Sequence, residues 1–314
     1  MTRHGRLVLT LLLLALPACG EEEPAGEQGG GGLNVFPASY DLTDRTPSRF
    51  LVGLTTQRNL SVIGGTVQLR FSYLGAGRAE GEPQFYREAT AEFLPVPLSP
   101  EPPPGPVAAP VSVGRGVYKV EEFEFDRSGL WEVEVTAELA EGTRSGTGAF
   151  EVLADAKVPL PGEPAPPSDN LVVGDEPAEA VDSRAEETGK VPDPELHDTT
   201  IADAIEARHP ALVVFSTPVY CVSRFCGPIT EMVEGLEKRY GDRAEFIHVE
   251  IWNNFQQQSI NQAAADWLYR EGGEELLEPW VFLIGADGVI VERWDNVASE
   301  KEIEPLLQDL PKLK

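Results

Sequence analysis

The chain has 314 residues, with 52 Asp and Glu against 25 Lys and Arg, which leaves a net charge of −27. This charge argues against nucleic acid as a partner, because binding phosphates requires Lys and Arg to neutralise them. A hydrophobic content of 41% excludes a fully disordered chain, and the length allows about two domains. The 3 Cys and 4 His are too few for a zinc ribbon or a multi-copper site. We therefore expect no bound metal and no other cofactor.

The N-terminus has the pattern of an export signal. Two arginines precede an apolar run at residues 7–16, which is shorter than the about 20 residues that a membrane span needs. With the Leu-Pro-Ala-Cys sequence that ends at Cys19, the run resembles the signals of bacterial lipoproteins. The resemblance implies cleavage of residues 1–18, lipid on Cys19 as the membrane attachment, and a location in the cell envelope, outside the cytoplasm. The alternative is an ordinary cleaved signal in which Cys19 is incidental.

The first folded region is predicted to consist of strands. Residues 19–39 are rich in Gly and Glu and are expected to form a flexible tether. In residues 40–153, apolar and polar side chains alternate in short segments, as at 67–73, which predicts an antiparallel β-sandwich. The segment from Asp126 to Trp131 resembles the step into a late strand of immunoglobulin-like domains. The predicted fold class of this region is therefore an all-β, immunoglobulin-like sandwich.

The second half of the chain has a different pattern. Residues 154–194 are acidic and rich in proline, and this composition predicts a solvated linker. From residue 195 to 314, strands and helices alternate, which predicts a mixed sheet with helices on both faces. The predicted elements are a capped helix that begins at 200–203, a buried strand at 211–215, a helix at 228–240, a strand at 244–251, a helix at 259 to about 269, a hairpin at 279–294 and a helix at 299–310.

The arrangement of residues 195–314 resembles the thioredoxin-like superfamily. A buried strand leads into a loop with two cysteines, the loop leads into a helix, and Pro279 stands at the head of a later strand. The resemblance implies an α/β thioredoxin-like fold for this domain. It also implies a cis peptide bond before Pro279, which would lie against the cysteines and shape a groove for the substrate backbone.

Cys221 and Cys226 are predicted to form a disulfide, because export exposes them to an oxidising compartment. Four residues separate them, whereas thioredoxins have two. Residues five apart on an ideal helix have Cα atoms about 8.6 Å apart, beyond the limit of about 7 Å for a disulfide. A bond therefore requires a loop between them, and Pro228 favours a helix that begins just after Cys226.

The predicted roles of these residues follow from the nearby helix start. The helix N-terminus and Arg224, the only cation in the loop, favour a thiolate. We expect Cys221 to attack a substrate disulfide and Cys226 to resolve the mixed disulfide. The buried acid and the Trp of thioredoxins are missing, since Val214 and Tyr220 occupy the corresponding positions. Glu278 is a candidate for the missing proton acceptor, although it is equally well explained as a solvated loop residue.

Several functions remain open at this point. The first is thiol–disulfide exchange with envelope proteins that contain cysteines, and the second is a non-catalytic binding module with a structural disulfide. Peroxide reduction fits less well, because the residues before each cysteine depart from the peroxiredoxin spacing. Copper delivery fits least, because His197, His209 and His248 are not tied by sequence to the cysteine loop. His248 is expected to be a core residue of its strand.

Overall fold

The computed structural model describes residues 32–77, 79, 81–268 and 276–313. The predicted signal, Cys19 and most of the tether lie outside these residues, as does the predicted helix end at residue 269. All described residues belong to one compact unit. Among them, no helix is both long and apolar enough to cross a membrane.

One antiparallel sheet of nine strands forms the first half of the described chain. The strands are β1 (Leu33–Pro37), β2 (Ser48–Thr56), β3 (Ser61–Ile63), β4 (Thr66–Gly75), β5 (Gln84–Pro95), β6 (Val107–Ala109), β7 (Gly116–Phe123), β8 (Gly129–Leu139) and β9 (Gly142–Val152). Their hydrogen-bonded order is β6-β3-β2-β7-β5-β4-β8-β9, and β1 pairs with β2. The alternation of side chains buries every second residue in β4 as far as Phe71 and in β8 from Trp131 on, as the sequence predicted.

An aromatic core lies on one face of this sheet. Phe50 and Phe71 make an edge-to-face contact with ring centroids 4.8 Å apart, and Phe125 packs on Trp131 at 5.2 Å. Trp131 is fully buried, and its indole N–H donates to the backbone carbonyl of Arg127 at 3.1 Å. The Trp therefore closes the turn before β8 both by packing and by a hydrogen bond.

A smaller sheet forms the second half. Its strands are β10 (Ala211–Ser216), β11 (Glu245–Glu250), β14 (Trp280–Ile284) and β15 (Ile290–Asp295), in the order β11-β10-β14-β15. A two-stranded ribbon, β12 (Trp252–Asn254) and β13 (Ser259–Ile260), lies between β11 and β14 in the chain. The helices are α1 (Ala178–Val181), α2 (Ile201–Ala207), α3 (Cys226–Tyr240), α4 (Gln262–Leu268) and α5 (Glu300–Asp309), with a 3-10 turn at Pro194–Leu196.

The local signals for these elements are confirmed. β10 is buried along its whole length, and its alternate residues enter two different apolar clusters, one on each face of the sheet. Thr200 caps α2 by accepting a hydrogen bond from the Asp203 N–H at 2.9 Å. Ser299 and Glu302 form the predicted capping box of α5.

The predicted fold class, however, is wrong. The first half is one continuous hydrogen-bonded sheet, not the two stacked sheets of an immunoglobulin-like sandwich. The described chain is mostly β with 17% helix, and it does not contain the predicted α/β thioredoxin-like second domain. β13 occupies residues 259 and 260, where the predicted helix was expected to begin, and α4 begins at Gln262 instead. Sequence periodicity identifies single elements, but contacts between residues distant in the chain decide how they pair.

The acidic stretch at 154–194 also differs from the solvated spacer that we expected. Val158, Leu160 and Ala165 are buried, while most acidic side chains of the stretch stay exposed. The Ala165 N–H donates to the Gly288 carbonyl at 2.9 Å, which fastens the stretch to the turn before β15. Apolar residues spaced between prolines are thus enough to hold it against the sheets. The predicted domain boundaries themselves stay a prediction.

Buried ion pairs join the large sheet to the small one. The Arg293 guanidinium in β15 donates to the Asp41 carboxylate at 2.8 Å, and these side chains are 10% and 1% exposed. Asp41 also accepts the backbone N–H of Lys157 at 2.8 Å. In β2, the Nε of Arg49 lies 3.2 Å from a carboxylate oxygen of Glu302. These contacts hold the segment before β2 against β15, and β2 itself against α5.

Candidate functional site

The two cysteines form a disulfide at the start of α3. Their Cα atoms are 6.1 Å apart, within the range that a disulfide requires. The intervening residues are turns and bends, as the distance argument predicted, and α3 begins at Cys226 itself. The Thr230 hydroxyl donates to the Cys226 carbonyl at 2.9 Å, which leaves its oxygen to accept from Ser216 at 2.7 Å. The end of β10 therefore fixes the first turn of α3 beneath the disulfide.

The two sulfur atoms have different surroundings. Cys226 is 0% exposed, whereas Cys221 is partly exposed. The backbone N–H of Cys226, in the first turn of α3, donates to the Cys221 Sγ at 3.4 Å. Ser223 Oγ lies 3.2 Å from the same sulfur and accepts the Phe225 N–H at 3.3 Å, so its own hydrogen is free to point to the sulfur. On reduction, these donors and the helix start would stabilise a thiolate on Cys221.

Glu278 supplies a carboxylate to the cysteine pair. One of its oxygens lies within 4.8 Å of both sulfurs. The peptide bond between Glu278 and Pro279 is cis, and Pro279 directly precedes β14. The Tyr40 hydroxyl donates to the Glu278 carbonyl at 2.9 Å, and the Asn296 N–H donates to the Pro279 carbonyl at 2.9 Å. This segment is therefore held from both sides.

The electrostatics of Glu278 suit proton transfer near neutral pH. Burial raises the pKa of Glu278 to about 7, and the charge of Glu250 adds to the shift. Glu250 is 1% exposed and accepts the backbone N–H groups of Ser183 at 3.0 Å and Ile251 at 2.8 Å. Burial also raises the pKa of Glu250. A carboxyl with a pKa of about 7 beside two sulfurs can both accept and donate a proton at physiological pH.

The surface around Cys221 is apolar and exposed. Val219 and Val222 are 54% and 92% exposed, on either side of Cys221 in the chain. Tyr220 stacks on Phe255 with ring centroids 4.0 Å apart. The Arg224 side chain is exposed, while its carbonyl accepts a hydrogen bond from Arg115, just before β7, at 3.3 Å. The predicted influence of Arg224 on the cysteines stays a prediction.

Sequence reasoning found part of this site. Glu278 was identified only as a candidate, and Glu250, Ser183 and Tyr40 were missed. Glu250 ends an apolar strand, and a carboxylate at such a position is a signal that could have been used. Ser183 and Tyr40 carry no such signal, because Ser183 lies in the predicted linker and Tyr40 is the first residue of the predicted sandwich.

No protein-family model matches this chain, and no curated protein matches it at a significant level of sequence similarity. Its chemistry is therefore inferred from the arrangement of its own residues.

Proposed function

We propose that this protein is a thiol–disulfide oxidoreductase of the cell envelope that acts through Cys221 and Cys226. The observation that supports this most is the asymmetry of the disulfide. Cys221 is accessible and its sulfur receives an N–H from the helix start, whereas Cys226 is buried. A disulfide that serves only stability needs neither an accessible sulfur nor a carboxylate close by.

The exchange takes place in two balanced steps. The Cys221 thiolate attacks a disulfide of the substrate, forms a mixed disulfide and releases one substrate thiolate, which takes up a proton. The Cys226 thiol then loses its proton and attacks the Cys221 sulfur. This step forms the Cys221–Cys226 disulfide and releases the second substrate thiol. The substrate is reduced by two electrons, the protein is oxidised by two, and the reverse sequence oxidises a substrate dithiol.

Glu278 is the proposed proton carrier for the buried thiol. Its carboxylate is within 4.8 Å of both sulfurs, and no bulk solvent reaches the fully buried Cys226. As a base, Glu278 takes the proton from Cys226 when the mixed disulfide is resolved. In the reverse direction the Glu278 carboxyl group protonates the departing Cys226 sulfur. Glu278 thereby takes the role of the buried acid of thioredoxins, whose corresponding position is occupied here by Val214.

The reduction potential of the cysteine pair tests the function directly. We expect a potential well above about −300 mV, so that a glutathione or thioredoxin buffer reduces the native protein. Equilibration in such buffers, read by alkylation of the free thiols and mass spectrometry, gives the value. Resistance to reduction in the native state, with a large loss of Tm once the pair is reduced under denaturing conditions, would instead establish the structural disulfide.

The pH dependence of exchange tests the role of Glu278. The groups facing its carboxyl are the two cysteines and Glu250, with Tyr40 on its backbone. Because its pKa is raised to about 7, the base form appears as the pH rises through 7, and the resolution rate should rise with it. Glu278→Gln should remove this step and lower the rate above pH 7 by about a hundredfold.

The measurement for Glu278 is stopped-flow resolution of a mixed disulfide between pH 5 and 9. The Gln variant should retain only the rise that belongs to ionisation of a thiol, whose usual pKa is about 8.5. Glu231→Gln is the matched control, because it removes an exposed glutamate from the same helix as Cys226. An unchanged step near pH 7 in Glu278→Gln would exclude this carboxyl as the proton carrier.

The proposed substrates are envelope proteins with cysteines in accessible, unfolded segments. Val219 and Val222 form an exposed apolar surface beside Cys221, which suits the apolar side chains of an incompletely folded chain. The lipoprotein-like sequence that ends at Cys19 supports attachment to the envelope by lipid. Mass spectrometry of the mature N-terminus tests the attachment, and an unmodified Cys19 would contradict it.

A further inference from the structure

Three buried side chains meet beneath the cysteine loop at a place that the proposed chemistry does not use. They are Asp182, just after α1, His197, just after the 3-10 turn, and His248 in β11. All three side chains are 0% exposed. The Asp182 Oδ2 is 3.3 Å from His197 Nε2 and 3.3 Å from His248 Nδ1, and the two nitrogens are 3.5 Å apart.

Hydrogen-bond accounting indicates that a cation fits between these atoms. His248 Nε2 lies 3.1 Å from the Ser216 carbonyl, which can only accept, so Nε2 carries a hydrogen. A neutral imidazole has a single N–H, so His248 Nδ1 presents a lone pair. That lone pair faces a carboxylate oxygen, which is also an acceptor, and His197 Nε2. The carboxylate oxygen and the His248 lone pair are thus two acceptors side by side, and they are satisfied either by an N–H on His197 Nε2 or by a cation bound to all three atoms.

The distances match those of ligands around one metal ion. Donors bound at about 2.0–2.1 Å in tetrahedral geometry lie about 3.3–3.4 Å from one another, and the three observed separations are 3.3, 3.3 and 3.5 Å. Two imidazoles and a carboxylate are ligands that Zn²⁺ commonly takes. The fourth coordination position would be left to a small ligand such as water.

The surroundings of the cluster orient two of the three ligands, His248 and Asp182, as in known metal sites. A histidine ligand usually donates its second N–H to a carbonyl, as His248 does to Ser216, and a carboxylate ligand is usually hydrogen-bonded in turn. The Arg184 guanidinium donates hydrogen bonds to both Asp182 oxygens, from Nη2 to Oδ2 at 2.7 Å and from Nε to Oδ1 at 3.1 Å. Arg184 also pairs with Asp193 at 2.9 Å, which partly offsets its positive charge beside a cation.

We propose that Asp182, His197 and His248 bind a divalent transition-metal ion, with Zn²⁺ the best fit. The ion cross-links the stretch around residues 182–197 to β11. Because the next residue, Ser183, donates its backbone N–H to Glu250, the metal also holds the backbone that positions Glu250 near Glu278. The proposal is independent of thiol exchange, since none of its ligands is a cysteine.

Cobalt binding to the oxidised full chain tests the site. The protein carries Cys19→Ser and keeps the Cys221–Cys226 disulfide, so that no thiol is available, and it is first stripped with a chelator. We expect one equivalent of Co²⁺ to bind with the visible bands of a four-coordinate site and no sulfur-to-metal charge-transfer band. Zn²⁺ should displace it and raise the Tm, because it binds only the folded state.

Variants then assign the ligands. His248→Asn and Asp182→Asn should each weaken Co²⁺ binding by at least about a hundredfold. Loss of a residue that only hydrogen-bonds to a ligand can already lower metal affinity by up to about a hundredfold, and loss of a ligand should cost no less. His209→Asn is the matched control, because His209 pairs with Glu245 outside the cluster, at 2.8 Å, and should bind Co²⁺ as the parent does. Should a ligand variant not fold, X-ray absorption of the Zn²⁺ form of the parent counts the imidazole ligands directly.

Two results would overturn the metal site. One is a parent protein that binds neither Co²⁺ nor Zn²⁺ at micromolar concentration. The cluster would then be a network of hydrogen bonds among the three side chains. The other is full retention of Co²⁺ binding in both folded ligand variants, which would place the metal elsewhere on this acidic chain.

Discussion

Replacing Cys221 by serine is expected to abolish thiol–disulfide exchange, with a loss of at least about a thousandfold in rate. A serine hydroxyl stays protonated near neutral pH and cannot form the disulfide with the substrate on which both steps depend. Cys226→Ser should behave differently, because the accessible Cys221 can still attack while nothing resolves the product. This second variant should accumulate mixed disulfides with substrate proteins.

The two single variants, Cys221→Ser and Cys226→Ser, serve as controls for each other. When cells express Cys226→Ser and their envelope fraction is separated on non-reducing gels, the variant should appear in high-mass species. Dithiothreitol should convert these species back to the free variant. The double variant Cys221→Ser, Cys226→Ser should give none. If Cys221→Ser traps partners and Cys226→Ser does not, the two roles are reversed. An empty trap with both single variants would leave the structural disulfide as the explanation of the pair.

Replacing Asp41 by alanine is expected to lower the free energy of unfolding by about 3–5 kcal/mol. The Asp41 side chain is 1% exposed and accepts hydrogen bonds from the Arg293 guanidinium at 2.8 Å and from the backbone N–H of Lys157 at 2.8 Å. Its removal takes the carboxylate away from a largely buried cation, which keeps only backbone carbonyls as acceptors, and from a partly buried N–H. Desolvation of that charge is no longer compensated, which is why the loss exceeds the value of an ordinary hydrogen bond.

Urea unfolding followed by tryptophan fluorescence measures this effect. The matched control is Asp155→Ala, which removes the partner of Arg45 in an ion pair whose side chains are 60% and 75% exposed. Because water and salt screen such a pair, its loss should cost less than about 1 kcal/mol. Equal small losses in the two variants would mean that the contact between Asp41 and Arg293 does not hold the two sheets together.

The cysteine site illustrates how far sequence reasoning reaches. The disulfide follows from having only two cysteines beyond Cys19, and the loop between them follows from helix geometry. Their difference in exposure was expected from the position of Cys226 at the helix start. Glu278 was a candidate only by its place before Pro279. Its pKa of about 7 depends on burial and on Glu250, and no residue near Glu278 in the sequence encodes that environment.

The cluster of Asp182, His197 and His248, by contrast, could not be predicted from the sequence. His248 was expected to be a core residue, and it is buried in β11. Its partner Asp182 comes from a stretch whose acidic composition predicted a solvated spacer, although Asp182 is fully buried there. Composition averages over a segment, whereas one buried carboxylate depends on the particular groups that surround it. For Asp182, burial raises the pKa, but its contacts with His197, His248 and the Arg184 guanidinium outweigh that effect and hold it well below its usual range.

The amino-acid sequence by itself determined the local structure of this protein: the alternating strands, the buried strand β10, the caps of α2 and α5, and the cysteine loop before α3. Such features depend on side-chain periodicity and on hydrogen bonds between residues a few positions apart. Only the tertiary structure decided that nine strands join in one sheet and that the acidic stretch packs. It also decided that Glu278 lies partly buried beside the cysteines and that the Asp182 cluster is fully buried. These outcomes depend on the pairing and desolvation of groups far apart in the chain, which local pattern does not specify.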